Sequence, residues 1–292
     1  MAKRPAAAQT AFGPMVIVTV EQHYPQAQRL IQDDLAYQFL PLGMQVATRL
    51  CAWNVVRDLL IKLSERQAPG IWGSVLCRKR YADEKVAGAV AAGVDAVVVL
   101  GAGLDTRTYR LAAPAGVAAF EVDLPTNIDD KRAKVQRLYG RIPEHVTLVP
   151  IDFEIDNLGE VLAARGLDVA KRILFVWEAV TQYLTDAGVR KTFDFLAKAG
   201  TGSGLVFTYV RKHFIDGTAL YGADRLYHAF RVKNRLWHFG IAPDHVDALL
   251  REYGWAEREQ LGRREFVARY VEPAGRAVPV SEIERSVYAE KL

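Results

Sequence analysis

The chain has few of the residues that build metal sites or disulfide frameworks. Its 292 residues include only two cysteines, Cys51 and Cys77, and neither belongs to a Cys-x-x-Cys pair or a Cys/His cluster. This spacing predicts neither a zinc site nor a disulfide scaffold, so we expect no bound metal.

Long apolar runs are also absent. No run approaches the ~20 residues that a membrane-spanning helix needs. Lys3 and Arg4 precede an apolar stretch, but polar residues, a glycine and a proline interrupt it before Val20, and no small-x-small cleavage site follows. We therefore expect a cytoplasmic protein without a membrane partner, with a loose tail over residues 1 to about 13.

Charge of one sign is in excess only locally. The formal net charge is +4, and half of the residues are hydrophobic, which is enough to bury a substantial core. The segment 211–238 carries six cations against Asp216 and Asp224, which accounts for the whole excess. A basic segment of this kind suits an anionic small substrate or nucleic acid, and it is equally typical of a solvated helix face. The six cations are Arg211, Lys212, Arg225, Arg231, Lys233 and Arg235.

Beyond residue 95 the sequence alternates short apolar runs with stretches of helical spacing. This alternation predicts an α/β fold with a doubly wound, Rossmann-like parallel sheet, whose ligand lies outside the carboxyl ends of the strands. The expected strands are 96–100, 117–122, 146–151, 172–177 and 204–210, and the expected helices between them are 105–111, 126–139, 157–165 and 185–199.

The flanking segments have different patterns. Helical spacing predicts helices over 26–39, 46–63 and 78–90 before the first strand. The aromatic, basic segment 211–242 interrupts the alternation and is expected to form a cap over the site. Towards the carboxyl terminus we expect a helix over 243–253 and strands at 255–260 and 265–271, which would close the sheet as an antiparallel pair.

The first strand runs directly into Gly101-Ala102-Gly103, and Asp123 follows Gly103 at the end of the second strand. Glycines in this turn allow a close backbone approach to a ligand, and a carboxylate at this spacing suits a ribose. The third glycine of a dinucleotide fingerprint is replaced by Thr106, and that glycine normally packs beside a pyrophosphate. The turn therefore favours a nucleoside cofactor without pyrophosphate, such as S-adenosyl-L-methionine, and NAD stays as the alternative.

Later strand ends carry further polar or aromatic residues. Asp152 and Phe153 follow the third strand, and Glu178 follows the fourth. An acidic residue at such a position is more often a helix cap than a ligand, but several in register favour a binding edge. Asp152 could accept from an adenine amine with Phe153 against the ring, and Glu178 could face the amino acid part of the cofactor or the substrate.

Four phrases resemble the class I S-adenosylmethionine-dependent methyltransferases of the leucine carboxyl methyltransferase family, in particular its bacterial branch. They are RKRYADEKV, LGAGLDTRTYRL, FEVDLP and WEAVTQYL, and they lie in order over about residues 75–210. The resemblance implies a methyltransferase sheet and an arginine that pairs with the cofactor's carboxylate, for which Arg78 is the best match and Arg80 the alternative. It implies that Glu178 holds the cofactor's amino group. The full set of cofactor-binding positions is then Arg78, Gly101, Ala102, Gly103, Asp123, Leu124, Asp152, Phe153 and Glu178.

The methyl acceptor is not implied by the resemblance, since residues 1–70 depart from the pattern of the eukaryotic members. We expect a small-molecule O-methyltransferase, acting on a carboxyl or hydroxyl group of a metabolite such as a polyketide. A carboxylate is already ionised and needs no base, so Arg211, Lys212 or Arg235 could orient it. A hydroxyl would need a base. The candidates for it are His213, His228 and His238, with Tyr183 as a further residue near cofactor or substrate.

Three other functions remain open. An NAD-dependent oxidoreductase could use the same sheet, although the Tyr81-x-x-x-Lys85 motif lies before the glycine turn. A nucleic-acid methyltransferase could use the basic segment for phosphates, but no Pro-Pro-aromatic motif is present. A non-catalytic cofactor sensor is the third. In the expected organisation, residues 1–92 form a tail and helices that make part of a cofactor lid, and 93–292 form the core with cap insertion 211–242.

Overall fold

The protein is described by a computed structural model over residues 11–292. Its centre is a seven-stranded sheet with strand order β3-β2-β1-β4-β5-β7-β6. The first five strands pair in parallel, whereas β7 is antiparallel to both β5 and β6. The strands are β1 (Ala96–Leu100), β2 (Ala118–Asp123), β3 (Val146–Pro150), β4 (Ile173–Trp177), β5 (Gly204–Val210), β6 (Trp255–Leu261) and β7 (Glu284–Lys291).

The five parallel strands confirm the predicted doubly wound sheet, with bounds that differ from prediction by about a residue. Every residue of β1, β4 and β5 is buried, because helices cover both faces of the sheet. The carboxyl ends of β1 to β4 therefore meet at one edge, where the candidate residues were expected.

Helices precede the sheet and alternate with its strands. They are α1 (Phe12–Glu21), α2 (Ala36–Phe39), α3 (Leu42–Leu50), α4 (Asn54–Gln67), α5 (Ile71–Ala91), α6 (Pro125–Tyr139), α7 (Leu158–Ala163), α8 (Asp186–Leu196), α9 (Lys212–Ile215), α10 (Asp224–Tyr227), α11 (Val246–Glu252) and α12 (Arg263–Phe266). The segment predicted as helix 105–111 contains a π-helical turn over Thr108–Ala112. No helix among residues 11–292 has the length and apolar character to cross a membrane.

The amino-terminal helices differ from the prediction. The helix expected over 26–39 is wrong: only a 3₁₀ turn at Gln26–Gln28 and the short α2 are helical there. The carboxylate of Asp33 accepts the backbone N–H groups of Leu35 and Ala36, and such local bonds compete with a continuous helix. Helix α1 begins at Phe12, inside the expected tail, whose residues 1–10, with Lys3 and Arg4, lie outside the described residues.

The helix predicted over 46–63 is two helices. α3 ends at Leu50, the backbone of Trp53 is extended, and α4 starts at Asn54. Periodicity continued across the break because the turn residues are themselves apolar.

At the carboxyl terminus the strand expected at 265–271 is wrong. The segment is helical, in α12 and a π-helical turn over Val267–Val271. The Glu265 side chain accepts the Gly262 N–H at 2.7 Å, which caps the start of α12. The antiparallel partner of β6 is instead β7, whose polar sequence gives little strand signal.

The segment 211–242 forms α9, α10 and a π-helical turn over His228–Lys233. It packs around a small core of its own that contains Phe214, Trp237 and Ile283.

Candidate functional site

A large cavity lies at the carboxyl ends of the parallel strands. Its volume is about 1150 Å³, at or above the upper end of the ~300–1,000 Å³ typical of pockets for one drug-sized ligand. Walls come from α1, α3, α4, α5, the segment 211–242 and the stretch that leads into β7. The cavity is lined by all nine residues predicted to bind the cofactor, namely Arg78, Gly101, Ala102, Gly103, Asp123, Leu124, Asp152, Phe153 and Glu178.

The glycine turn and Asp123 form one hydrogen-bonded unit. Oδ2 of Asp123 accepts the Gly103 N–H at 2.5 Å, and Oδ1 accepts from the Leu124 N–H and from Nδ2 of Asn127, each at 2.7 Å. These donors hold the carboxylate at the end of β2, where Asp123 lines the cavity. Asn127 also lines the cavity and was not predicted.

Gly101 is required by both backbone and space. Its φ is +72°, in the left-handed region that glycine tolerates, and an added Cβ would collide with Val180. The N–H groups of Gly101 and Ala102 both donate to the Val122 carbonyl, at 2.8 and 2.9 Å. The turn is therefore fixed against β2 with its atoms close to the cavity.

The loop after β3 presents Asp152 and Phe153. Oδ1 of Asp152 accepts the Glu154 N–H at 3.0 Å, and Phe153 is buried. This loop is tied to the start of α8, since Glu154 accepts the Thr185 N–H at 3.1 Å. The aromatic ring and one carboxylate are thereby held at the cavity wall.

Glu178, after β4, is the centre of a cationic cluster. Its carboxylate accepts from Nε of Arg78 at 3.1 Å and Nη2 of Arg107 at 2.7 Å, and Nζ of Lys79 lies 3.6 Å away. Burial alone would raise the pKa of the Glu178 carboxyl. The charges of Lys79, Arg107 and Arg78 outweigh burial and hold that pKa well below its usual range. Glu178 is therefore an anion at neutral pH.

Arg78 joins two distant parts of the chain at this cluster. It contacts Glu178 and also forms a close ion pair with Glu284 at the start of β7. The alternative candidate, Arg80, does not line the cavity: it pairs with Glu84, and its guanidinium lies 4.7 Å from the centre of the Tyr270 ring. Of the two arginines in the motif, Arg78 alone reaches the site.

Arg107 was missed by sequence reasoning. Only 1% of its side chain is exposed, and it bonds to Asp83, Asp105 and Glu178. The pattern Asp105-x-Arg107, directly after the glycine turn, could have indicated it. Two opposite charges in a segment that is expected to be buried predict a buried ion pair.

Thr106 has a structural partner of its own. Its hydroxyl donates to Oδ2 of Asp33 at 2.5 Å and accepts from Nε of Arg110 at 3.0 Å. Thr106, which replaces the third glycine, therefore connects the segment before α2 to the glycine turn through a hydrogen bond.

The basic segment mostly faces away from the cavity. Arg211 pairs with Glu282 at 3.3 Å and Lys212 with Asp216 at 3.0 Å, and neither lines the cavity. The same holds for Arg235, and the exposed His213, His228 and His238 also lie outside it. Arg225 of this segment does line the cavity, although the sequence had not singled it out for this role. The candidate Tyr183 also lines it, from the 3₁₀ turn Thr181–Tyr183 that follows β4.

Part of the cavity wall is apolar and aromatic, with a few polar atoms. This part includes Trp72, Leu226, Phe230, Trp237 and Ile283. Four lining residues carry a buried polar atom without a hydrogen-bond partner in the described part of the chain. These atoms are Nε1 of Trp72, Oε1 of Gln182, Nε1 of Trp237 and Oε1 of Glu284.

The described residues contain no group of three or more His, Cys, Asp or Glu side chains that could hold a metal ion. Cys51 and Cys77 are both buried free thiols.

The sequence matches known proteins over most of its length. Residues 11–197 match the model of the leucine carboxyl methyltransferase family. A protein from Mycobacterium ulcerans, named as an S-adenosyl-L-methionine-dependent methyltransferase, is 32% identical over 77% of this chain and 75% of its own. A relative so named from Mycobacterium avium is 34% identical, and the alignment spans 44% of this chain and 41% of the relative.

Two solved structures share the fold. A methyltransferase from Thermobifida fusca superposes with a TM-score of 0.59 at 17% identity, covering 93% of this chain and 97% of its own. A protein from Streptomyces avermitilis superposes with a TM-score of 0.58 at 13% identity, covering 94% of this chain and 97% of its own. The family match and the Mycobacterium ulcerans relative favour neither the oxidoreductase nor the nucleic-acid methyltransferase left open by the sequence. The chain belongs to the leucine carboxyl methyltransferase family of S-adenosylmethionine-dependent methyltransferases, as its four phrases predicted.

Proposed function

We propose that the protein transfers a methyl group from S-adenosylmethionine to a carboxylate or hydroxyl oxygen of a small molecule with an apolar body. The observation that supports this most strongly is the continuous cavity of about 1150 Å³, which joins the glycine turn and Asp123 to an aromatic wall. Such a volume accommodates a nucleoside cofactor and an acceptor together.

The residues present fit the nucleoside half of the cofactor. We assign the ribose hydroxyls to Asp123, the adenine to Asp152 and Phe153, and the close backbone approach to Gly101–Gly103 with Leu124. The fit rests on the fixed Asp123 carboxylate and on the Gly101 position, where a side chain would meet Val180.

The amino acid half is zwitterionic, and the site offers both charges. Arg78 and Lys79 line the cavity beside Glu178 and Glu284, and Oε1 of Glu284 has no hydrogen-bond partner among the described residues. We assign the cofactor's carboxylate to the two cations and its ammonium to the two carboxylates. An unpartnered buried carboxylate oxygen would gain a charge-assisted hydrogen bond there.

The acceptor is assigned to the aromatic side. Trp72, Phe230 and Trp237 suit an apolar or aromatic body, while Oε1 of Gln182 and Nε1 of Trp237 can bond to its polar groups. For an anionic acceptor we assign the orienting cation to Arg225, since Arg211, Lys212 and Arg235 do not line the cavity.

When bound, S-adenosylmethionine supplies an electrophilic methyl group on a sulfonium centre. The chain's part is to align the acceptor oxygen with that methyl and to exclude water. Helix α1, helix α5 and the segment 211–242 wall the cavity, and we propose that the helices within residues 11–92 form part of its lid together with this cap. A carboxylate acceptor needs no base, whereas a hydroxyl acceptor would need one. The candidate bases His213, His228 and His238 do not line the cavity, and Tyr183 is the candidate to hold the acceptor by a hydrogen bond.

The test is a methyl-transfer assay with S-adenosylmethionine labelled in its methyl group, run on whole-cell extracts whose small molecules, nucleic acid and protein are then separated. Label that mild alkali releases as volatile methanol identifies an ester and hence a carboxylate acceptor, and alkali-stable label excludes an ester. Asp123→Ala is the negative control and His213→Ala the matched neutral variant, because His213 is exposed outside the cavity. Label found only in nucleic acid or protein would contradict the proposal.

A further inference from the structure

Exposed apolar side chains are concentrated on one part of the molecule. Of the twelve large hydrophobic residues exposed among residues 11–292, eight lie between positions 42 and 63. Single exposed apolar residues are normal on a protein surface, but a contiguous set marks an interaction site. The eight are Leu42, Met44, Val46, Leu50, Trp53, Val55, Leu59 and Leu63.

These residues form a stripe on each of two helices. On α3, Leu42, Val46 and Leu50 recur at intervals of four, and on α4 Val55, Leu59 and Leu63 do the same. Residues four apart lie on one face of a helix. Trp53, which is 69% exposed, lies in the turn that connects the two helices. We call the two stripes with Trp53 the apolar platform.

The apolar residues of the platform are not needed to pack these helices onto the protein, because both helices already pack on their other sides. α3 contacts α1, and α4 contacts α5. Thr48 of α3 is buried, and so is Arg57 of α4, whose guanidinium lies 3.9 Å from the centre of the Tyr24 ring.

The apolar platform is continuous with the cavity. Leu60 and Gln67 of α4 line the cavity, and they neighbour Leu63 of the α4 stripe on the helix surface at spacings of three and four residues. The α4 stripe therefore borders the cavity at Leu63.

The charged rim of the platform is mainly positive. Arg49, Lys62 and Arg66 are exposed on the same two helices, against the exposed Asp58. The other acid, Glu65, accepts the backbone N–H groups of Gly70 and Trp72 at 2.6 and 3.2 Å. An anionic lipid surface complements this rim, and tryptophan beside apolar residues is typical of interfacial helices. A symmetric dimer through the platform would instead bring like-charged rims together.

We propose that the apolar platform docks on the surface of a lipid bilayer that contains anionic headgroups, with the cavity opening towards the acyl chains. Trp53 and the two stripes enter the boundary between headgroups and chains, and Arg49, Lys62 and Arg66 contact the headgroups. The proposal goes beyond methyl transfer, and its test needs neither the cofactor nor an acceptor.

The full-length protein is titrated with phosphatidylglycerol vesicles and, separately, with phosphatidylcholine vesicles. Binding is followed by co-sedimentation and tryptophan emission. Trp53 is the exposed tryptophan, and the other four are buried, so a blue shift on binding reports its entry into lipid. We expect tight binding to the anionic vesicles, weakened by salt, and a blue shift that Trp53→Phe removes. Absence of binding to anionic vesicles would overturn the proposal.

Two variants test the named residues. The triple variant Trp53→Ser, Val55→Ser, Leu59→Ser should lose vesicle binding, whereas Ile155→Ser with Val232→Ser, exposed on other parts of the chain, should keep it. If circular dichroism shows that the triple variant does not fold, the variant Arg49→Gln, Lys62→Gln, Arg66→Gln tests vesicle binding in its place. Losing three cations should lower affinity for anionic vesicles on the order of 100-fold.

The competing occupant is a second copy of the chain. Light scattering without lipid measures the oligomeric state of the wild type and of the triple variant Trp53→Ser, Val55→Ser, Leu59→Ser. A dimer that the triple variant disrupts, together with vesicle binding that the variant retains, would overturn the proposal.

Discussion

Nη2 of Arg107 donates to Oε2 of Glu178 at 2.7 Å, which connects the segment after the glycine turn to the end of β4. Both side chains are almost fully buried, and Arg78 and Lys79 contribute further positive charge. Buried ions of opposite sign stabilise a site only while each keeps its partner. Arg107 therefore positions Glu178 at the cavity, although Arg107 itself does not line it.

Arg107→Met should lower both stability and cofactor affinity. Removal of one partner of a buried ion cluster costs about 3–5 kcal/mol in the free energy of unfolding. Affinity for S-adenosylmethionine should fall about tenfold or more, because Glu178 loses its fixed orientation. Urea unfolding and calorimetry measure the two effects. The matched control is Arg190→Met, which breaks two exposed ion pairs, with Asp186 and Glu252, and should change stability by about 1 kcal/mol or less. Equal effects of the two substitutions would contradict the assigned role.

Gly101→Ala should impair cofactor binding through space as well as backbone strain. The control is Gly140→Ala, since Gly140 has a φ of +74° but nothing within 4 Å of an added Cβ. Both variants carry backbone strain of about 1 kcal/mol, so the difference between their free energies of unfolding isolates the contact with Val180. The double variant Gly101→Ala, Val180→Ala should recover part of the loss in calorimetry. If Gly140→Ala and Gly101→Ala bind the cofactor equally, the contact has no effect.

Thr106→Val should destabilise the junction between the amino-terminal segment and the glycine turn. The substitution removes the hydroxyl that donates to Asp33, and an unsatisfied buried partner costs about 1–3 kcal/mol. Thr106→Ser should retain most of the stability in urea unfolding. Thr106→Gly restores the third glycine of the dinucleotide pattern, and we expect it to gain no NAD binding, because Asp33 and Arg110 occupy that region. NAD binding by this variant would show that Thr106 sets the cofactor class.

The two thiols should be unreactive in the folded protein. Burial raises the pKa of the Cys77 thiol to about 12 and also raises that of Cys51. At pH 8 a thiol with this pKa has roughly one thiolate in 10,000 molecules, and the thiolate is the reactive form. An aromatic disulfide reagent should therefore label no cysteine in native protein at pH 8 and two after denaturation. Labelling of the native protein at the rate of free cysteine would contradict this.

The sheet and the cofactor edge were predictable, because short apolar strands ending in Asp123, Asp152 and Glu178 follow local sequence rules. The Arg78–Glu284 pair was not, since 206 residues separate its partners and β7 has a polar sequence. The outward direction of Arg211 and Lys212 depends on packing around Phe214 and Trp237, which composition does not reveal. Apolar spacing over 46–63 indicated helices, but it could not distinguish a core face from the exposed apolar platform.

Calorimetric titration with S-adenosylmethionine and with NAD, on wild type and on Asp123→Ala, tests the cofactor assignment most directly. We expect the wild type to bind S-adenosylmethionine and not NAD. Loss of the two charge-assisted hydrogen bonds to the ribose should weaken binding to Asp123→Ala on the order of 100-fold, with an unchanged circular dichroism spectrum. Binding of NAD but not S-adenosylmethionine, or equal affinity of the folded variant and the wild type, would contradict the site proposed here.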